Sequence, residues 1–211
     1  GALLAPSCGI VDPFNLCVHA MENAIDHGVK LFLNEKVMRI SKIAGGYEVE
    51  TNKAVHQGKV IINATGVEAD LVSELLGPNH FSIKPRKGEY FVLDHFGFGF
   101  VNHVIFPLPT EKGKGILLTP TTSGNYLVGP SSEYVGSRDD ISTDRMTLEY
   151  VKTMAANLIP NIPFNQVIRT FSGLRASSST GDFIIEELEG FPGFINVAGI
   201  ESPGLASAPA I

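Results

Sequence analysis

Val60-Ile61-Ile62-Asn63-Ala64-Thr65-Gly66 is a dense apolar run that breaks into small residues, and the stretch 68–76 after it has helical spacing and is closed by Gly77. Apolar residues without polar alternation mark a strand covered on both faces, and small residues at its end allow a tight turn into a helix. Upstream, a helix is expected over 13–27. Asp12 is placed to cap its free N–H groups, Pro13 suits the first turn, and Gly28 ends it. Phe14, Val18, Met21 and Ile25 recur on one helical face. The segment 29–33 reads as a short strand, and 36–40 and 46–51 alternate apolar and polar residues as half-exposed strands do. Helix, strand, hairpin, buried strand and helix form an α/β layout.

Beyond Gly77-Pro78-Asn79 the pattern changes. Short apolar strands are expected over 89–94, 102–107, 115–119 and 125–129, separated by turn residues Gly97, Gly99, Gly113 and Ser123-Gly124. With no helix between them they read as an antiparallel meander. A helix follows over 143–158, with Met146, Tyr150, Met154 and Leu158 on its apolar stripe and Pro160 and Pro163 beyond its end. The C-terminal part returns to strands at 166–170 and 182–186. Phe194-Ile195-Asn196-Val197-Ala198 is then a second buried-type strand, leading through Gly199-Ile200-Glu201-Ser202-Pro203-Gly204 into a last helix. The fold class expected is α/β, α+β overall, in which an antiparallel part interrupts an open-sheet part that then resumes.

Composition limits the function. The 211 residues are 44% hydrophobic and 18% charged, enough for a sizeable core and unlike a disordered chain. A net charge of −6 speaks against a nucleic-acid or anionic-membrane partner. No apolar run approaches the ~20 residues of a transmembrane segment. Cys8 and Cys17 are too few for a disulfide scaffold, so a reducing cytoplasm is the simplest setting. The six histidines and two cysteines have no metal-ligand spacing, and no metal is expected. The elbow of serine hydrolases and the phosphate-cradling Gly-Lys-Ser/Thr loop are both missing from the sequence.

The chemistry-bearing candidates are few. The two strand–turn–helix junctions, at 60–66 and 194–204, would let a ligand approach the backbone at the carboxyl end of a strand. At the second, Ser202 is read as an N-cap and Pro203 as the first helical residue, presenting free N–H groups and a partial positive charge. Ordinary βα turns have the same appearance. Arg175, after Gly173 and before a polar loop at 176–179, can hold a carboxylate or phosphate in two-pronged fashion, or can be a solvated arginine. Lys84, Arg86, Lys87, Lys112 and Lys114 form basic clusters, which commonly mark solvated loops. His103, read inside an apolar strand, is an acid/base candidate against a structural role, and Tyr90 and Phe91 read as core.

Taken together these stretches resemble the FAD-dependent oxidoreductases of the D-amino-acid-oxidase superfamily, in the glycerol-3-phosphate dehydrogenase branch close to the L-2-hydroxyglutarate oxidases. The likeness rests on Gly9-Ile10-Val11-Asp12-Pro13, Ile62-Asn63-Ala64-Thr65-Gly66, Pro85-Arg86-Lys87-Gly88-Glu89-Tyr90 and the stretch 107–129 with its Pro-Thr-Glu-Lys-Gly-Lys-Gly core. It rests most specifically on Gly173-Leu174-Arg175 followed by Ala198-Gly199-Ile200-Glu201-Ser202-Pro203-Gly204-Leu205. The resemblance implies a Rossmann-like FAD-binding domain, incomplete in this chain, in 1–80 and 171–211, interrupted by an antiparallel substrate domain in 81–170.

It further implies that Val37 touches the adenine end of FAD and that Ala64, Thr65 and Gly66 flank its pyrophosphate and ribose. Gly199, Ile200, Ser202, Pro203, Gly204 and Leu205 would close over the isoalloxazine ring. Arg175 and Tyr90 would bind a small anionic substrate, glycerol 3-phosphate or a 2-hydroxy acid, and the electron acceptor stays open. An amine or amino-acid oxidase, or a binding module without catalysis, are the alternatives. One departure is plain: the family's opening strand and Gly-x-Gly-x-x-Gly turn are not in these residues. The expectation is therefore a fragment with an exposed sheet edge that binds FAD weakly or not at all.

Overall fold

The computed structural model describes residues 2–95, 100–108 and 115–210. Gly97, Gly99, Gly113, Lys112, Lys114 and most of the Pro-Thr-Glu-Lys-Gly-Lys-Gly stretch lie outside the described residues. The chain forms two units, one of Gly1–Gly28, Lys87–Glu133 and Ile141–Gly173, the other of Val29–Arg86, Tyr134–Asp140 and Leu174–Ile211.

In the first unit, α1 (Pro13–Asp26) begins where the cap was expected: Asp12 Oδ1 accepts from the amides of Phe14 (2.9 Å) and Asn15 (3.1 Å). Its apolar stripe does not face a core; Phe14 is 80% exposed and no residue of α1 is buried. Strands β5 (Ile83–Leu93), β6 (Leu117–Pro120) and β7 (Tyr126–Gly129) build the antiparallel part, with Phe91 opposite Val128 and Leu118 opposite Val128 on the other side. The strand expected over 102–107 shrinks to one bridge, Ile105 with Leu118.

Helix α3 (Arg145–Leu158), capped by Asp144, covers this sheet with Thr147, Val151 and Ala155. The stripe read from the sequence was the wrong face. Met146 is 82% exposed and Tyr150 and Met154 are also exposed, whereas Val151 and Ala155 join Leu93, Leu118, Tyr126 and Val128 in the core. Small side chains let the helix approach the sheet closely, so here packing distance outweighed side-chain hydrophobicity.

The second unit holds two small sheets. One is the meander β1 (Val37–Ile43), β2 (Gly46–Thr51) and β3 (Val55–Gly58), the last not foreseen. The other has the order β10 (Ile184–Glu187), β11 (Phe194–Ala198), β4 (Ile61–Asn63); β10 is antiparallel to β11, and β4 is parallel to it. Tyr47 and Phe194 lie together in the core that joins them, and the Tyr47 hydroxyl donates to Pro192 O at 2.9 Å. After β4 come a 3-10 turn, Gly66–Glu68, and the short α2 (Ala69–Glu74). The segment 29–33 forms no strand: Val29, Leu31, Phe32 and Leu33 are exposed and join no ladder among the described residues. An extended run with strand-like composition needs a ladder partner before it is a strand.

β9 (Val167–Ser178) is a long strand that pairs with β5. β8 (Glu133–Tyr134) adds a further short pairing to β5. The stretch read as a strand end, Gly173 and a polar loop is instead continuous strand, so Arg175 sits within β9.

Candidate functional site

The turns that follow β4 and β11 are neighbours. The two strands run parallel with Asn63 opposite Asn196, so both chains leave the sheet at the same edge. Two buried amides fix this edge. Asn63 Nδ2 donates to Asn196 Oδ1 (2.9 Å) and to Ala69 O (2.8 Å), and its Oδ1 accepts from the Thr65 hydroxyl at 2.7 Å. Asn196 Nδ2 continues the chain to Ser73 Oγ at 3.2 Å. A buried amide is tolerated only when hydrogen-bonded, so this chain of donors and acceptors specifies both turns at once.

Backbone conformation explains the small residues. Gly66 has φ +61°, and a β-carbon there would project into open space. Gly199 has φ +66°, and a β-carbon there would come within 2.7 Å of Ser178 Cβ. The first glycine keeps the turn open above the strand end; the second seats the other turn against β9. Ala64, Thr65, Gly66, Ser202, Pro203 and Leu205 are exposed, so the outer surface of both turns is backbone and short side chains.

Ser202 does not cap a helix. The last helix, α4 (Gly204–Ser207), has four residues and no side-chain cap, and the Gly204 amide donates back to Glu201 O at 2.5 Å. A helix of one turn sums few peptide dipoles, so the charge expected from a helix start is not provided by α4.

The remaining candidates are distributed as follows. Val37 opens β1 and packs against the cluster of Ile40, Tyr47, Leu188 and Phe194, which lies in the same unit as both turns. Arg175, in that unit as well, is half-buried in β9. Tyr90 and His103 belong to the other unit. The Tyr90 ring stacks on Phe171, centroids 5.0 Å apart and planes 7° from parallel. His103 is exposed in a bend, not inside a strand. Arg86 and Lys87 are no solvated loop: both lie in β5, Arg86 paired with Glu201 and Lys87 buried.

Three constellations escaped the sequence reading. Arg138 forks onto Asp70, Nη1 to Oδ1 at 2.6 Å and Nη2 to Oδ2 at 2.9 Å, and also donates to the carbonyls of Ile83 (3.2 Å) and Val67. Burial works against the Asp70 charge, but Arg138 and the amides of Ile83 and Leu71 outweigh it and hold the carboxyl below its ordinary range. Glu201 carries the second, with Arg86. The third is Glu89, fully buried, whose Oε2 accepts from the Asp144 amide at 2.9 Å while Oε1 has no hydrogen-bond partner among the described residues. Burial pushes its carboxyl up, and neither the Asp144 amide nor Lys87 at 3.7 Å reverses that. Polar residues inside apolar strand runs, Asn63 and Asn196 above all, were the signal available for such networks.

Comparison with known proteins fits this arrangement. The family model described as FAD dependent oxidoreductase matches residues 1–211. The chain belongs to the FAD dependent oxidoreductase family. A glycerol 3-phosphate dehydrogenase of Caloramator mitchellensis is 42% identical over all of this chain and 44% of its own length. A glycerol 3-phosphate oxidase of Mycoplasma genitalium is 31% identical over 96% of this chain and 54% of its own. The chain thus spans about half the length of these relatives.

Among solved structures, the dithionite-reduced L-alpha-glycerophosphate oxidase from Mycoplasma pneumoniae with FAD bound superposes with a TM-score of 0.81 at 30% identity, covering 89% of this chain and 50% of that one. L-proline dehydrogenase from P. horikoshii shares the fold, with a TM-score of 0.81 at 23% identity, over 94% of this chain and 53% of that one. No helix among the described residues is long and apolar enough to cross a membrane. The residues present fit a dinucleotide cofactor: open, small-residue turns at the carboxyl ends of adjacent parallel strands are where such ligands lie in open α/β sheets.

Proposed function

We propose that this chain carries part of the flavin cradle and the anion anchor of an oxidoreductase that removes hydride from a small anionic alcohol, glycerol 3-phosphate or a 2-hydroxy acid. The observation that carries this reading is the parallel, in-register pairing of β4 with β11, tied by Asn63 and Asn196, which puts two glycine-bearing turns side by side. The likeness to glycerol 3-phosphate dehydrogenase and oxidase supports the substrate class. In domain terms, 1–80 and 171–211 serve the cofactor and 81–170 the substrate, in a cytoplasmic enzyme.

FAD, when bound, supplies the two-electron acceptor chemistry. The chain's own residues bind and orient. Ala64, Thr65 and Gly66 offer backbone to the pyrophosphate and ribose, with Val37 toward the adenine. Gly199, Ile200, Ser202, Pro203, Gly204 and Leu205 border the ring. Arg175 takes the substrate's phosphate or carboxylate in a forked, charge-assisted contact and thereby holds the carbon that gives up hydride in one place. Tyr90 lines the substrate side. Orientation of this kind lowers a barrier by several kcal/mol, on the order of the effective-molarity gains of intramolecular reactions.

The test is anaerobic bleaching of the FAD-loaded protein. Glycerol 3-phosphate or L-2-hydroxyglutarate should bleach the flavin absorbance stoichiometrically, and amino acids should not. Bleaching by an amino acid alone overturns the substrate class. Absence of any flavin uptake when this chain is joined to the family's opening strand and Gly-x-Gly-x-x-Gly turn overturns the cradle.

A further inference from the structure

Glu201 occupies the centre of the turn after β11, and its carboxylate is held from two strands. Arg86 on β5 donates to Oε1 through Nη2 (2.5 Å) and Nε (3.2 Å). Ser177 on β9 donates to Oε2 at 3.3 Å, and its own Oγ lies 3.4 Å from the Tyr134 hydroxyl. The Gly204 amide returns to Glu201 O, so side chain and backbone of one residue both brace the turn. The pair is three-quarters covered, Arg86 25% and Glu201 23% exposed, which leaves it only partly screened. Two residues before Ser177 on the same strand is Arg175, the proposed anion anchor.

We propose that Arg86 and Glu201 are a positioning pair: through Glu201, Arg86 fixes the turn at 199–205 against β5 while Ser177 holds it to β9, and so sets the distance between flavin and anchored substrate. Neither residue contacts the reacting atoms. This rests on the reading of 199–205 as the turn bordering the flavin ring. The pair's second role is electrostatic. A negative carboxylate inside the flavin turn opposes the negative charge that reduction adds to the ring, and the guanidinium cancels it.

The charges give the test its sign. In Arg86→Met the carboxylate is uncompensated, and the flavin reduction potential should fall. In Glu201→Gln the guanidinium loses the carboxylate's opposing charge, and the potential should rise. A role confined to folding would move both variants the same way. Both should also weaken FAD retention, followed by flavin fluorescence, by about tenfold, the size of one coupled contact. The exchange Arg86→Glu with Glu201→Arg should recover part of that loss.

Potentials that shift together, or remain within error of wild type while FAD binds normally, overturn the proposal. Should Arg86→Met fail to fold, the milder Glu201→Gln, which retains an acceptor for Ser177, decides by its potential alone. A wild-type protein that takes up no FAD even with the family's opening strand and Gly-x-Gly-x-x-Gly turn joined to it overturns the flavin reading itself, a different outcome from wild-type uptake with unaltered variants.

Discussion

Asn63 Nδ2 and Asn196 Oδ1 meet at 2.9 Å, joining residues 133 positions apart at the last pair of a parallel ladder. The contact is the physical basis of the proposed cradle, because each asparagine also fixes its own local structure: Asn63 through Ala69 O and the Thr65 hydroxyl, Asn196 through Ser73. Asn63→Leu keeps the volume and removes every one of Asn63's bonds, stranding buried acceptors and donors. The expected cost is about 2–4 kcal/mol, from one or two unsatisfied buried polar groups. Urea denaturation followed by circular dichroism measures it. A loss below about 0.5 kcal/mol would mean that the amide chain does not specify the turns.

Asp70 and Arg138 tie the segment after β8 to the start of α2. Arg138→Met leaves a buried carboxylate without its partner, at an expected cost of about 3 kcal/mol, the lower end for broken buried pairs because Arg138 is partly exposed. The pH dependence has a definite sign. The Asp70 carboxyl is lowered in the folded chain, so its contribution is complete above the ordinary carboxylate pKa and is lost as pH falls through the lowered folded value. The stability gap between wild type and Arg138→Met should thus close below about pH 4. A gap constant from neutral pH to acid would contradict this assignment.

Glu89 predicts the opposite slope. Burial raises its carboxyl, so the folded state binds a proton more tightly than the unfolded state does. Stability relative to Glu89→Gln is therefore greatest at low pH and declines as pH rises from about 4.3, the unfolded value, to the raised folded pKa. Glutamine keeps an acceptor for the Asp144 amide without a charge to bury, so the variant should be as stable as wild type or more so at neutral pH. Paired denaturation curves across that range read the slope. A wild type that gains on the variant with rising pH refutes the raised carboxyl.

Local signals read well where chemistry is local. Asp12 before Pro13, the alternation of 46–51 and the apolar run ending at Asn63 each gave an element near its observed bounds. Reading failed where a partner decided the outcome. Segment 29–33 has strand composition and no ladder, and α3 turned Val151 and Ala155 inward in place of Met146 and Tyr150, because close approach to the sheet selects small residues. At the candidate site, Gly66 and Gly199 were legible as turn glycines. The pairs Arg86–Glu201 and Asp70–Arg138 were not, since an ion pair 115 or 68 residues apart leaves no periodicity in the chain. Ser202 misled by matching the Ser-Pro pattern of a capped helix that is only one turn long.

Arg175 carries the sharpest kinetic prediction. If it is the proposed anion anchor, it acts on substrate in both ground and transition states, so Arg175→Met should raise KM for glycerol 3-phosphate and lower kcat less. A forked, charge-assisted contact contributes about 1.5–3 kcal/mol, which converts to a loss of roughly 10–100-fold in kcat/KM. Arg175→Lys should recover only part of it, because an ammonium keeps the charge and loses the second prong. Inorganic phosphate should compete with substrate in the wild type and much less in Arg175→Met. Steady-state kinetics with and without phosphate separate the possibilities: a variant with unchanged KM and unchanged phosphate inhibition would move the anchor elsewhere, while FAD absorbance retained in the same sample would show that the flavin cradle had not been disturbed.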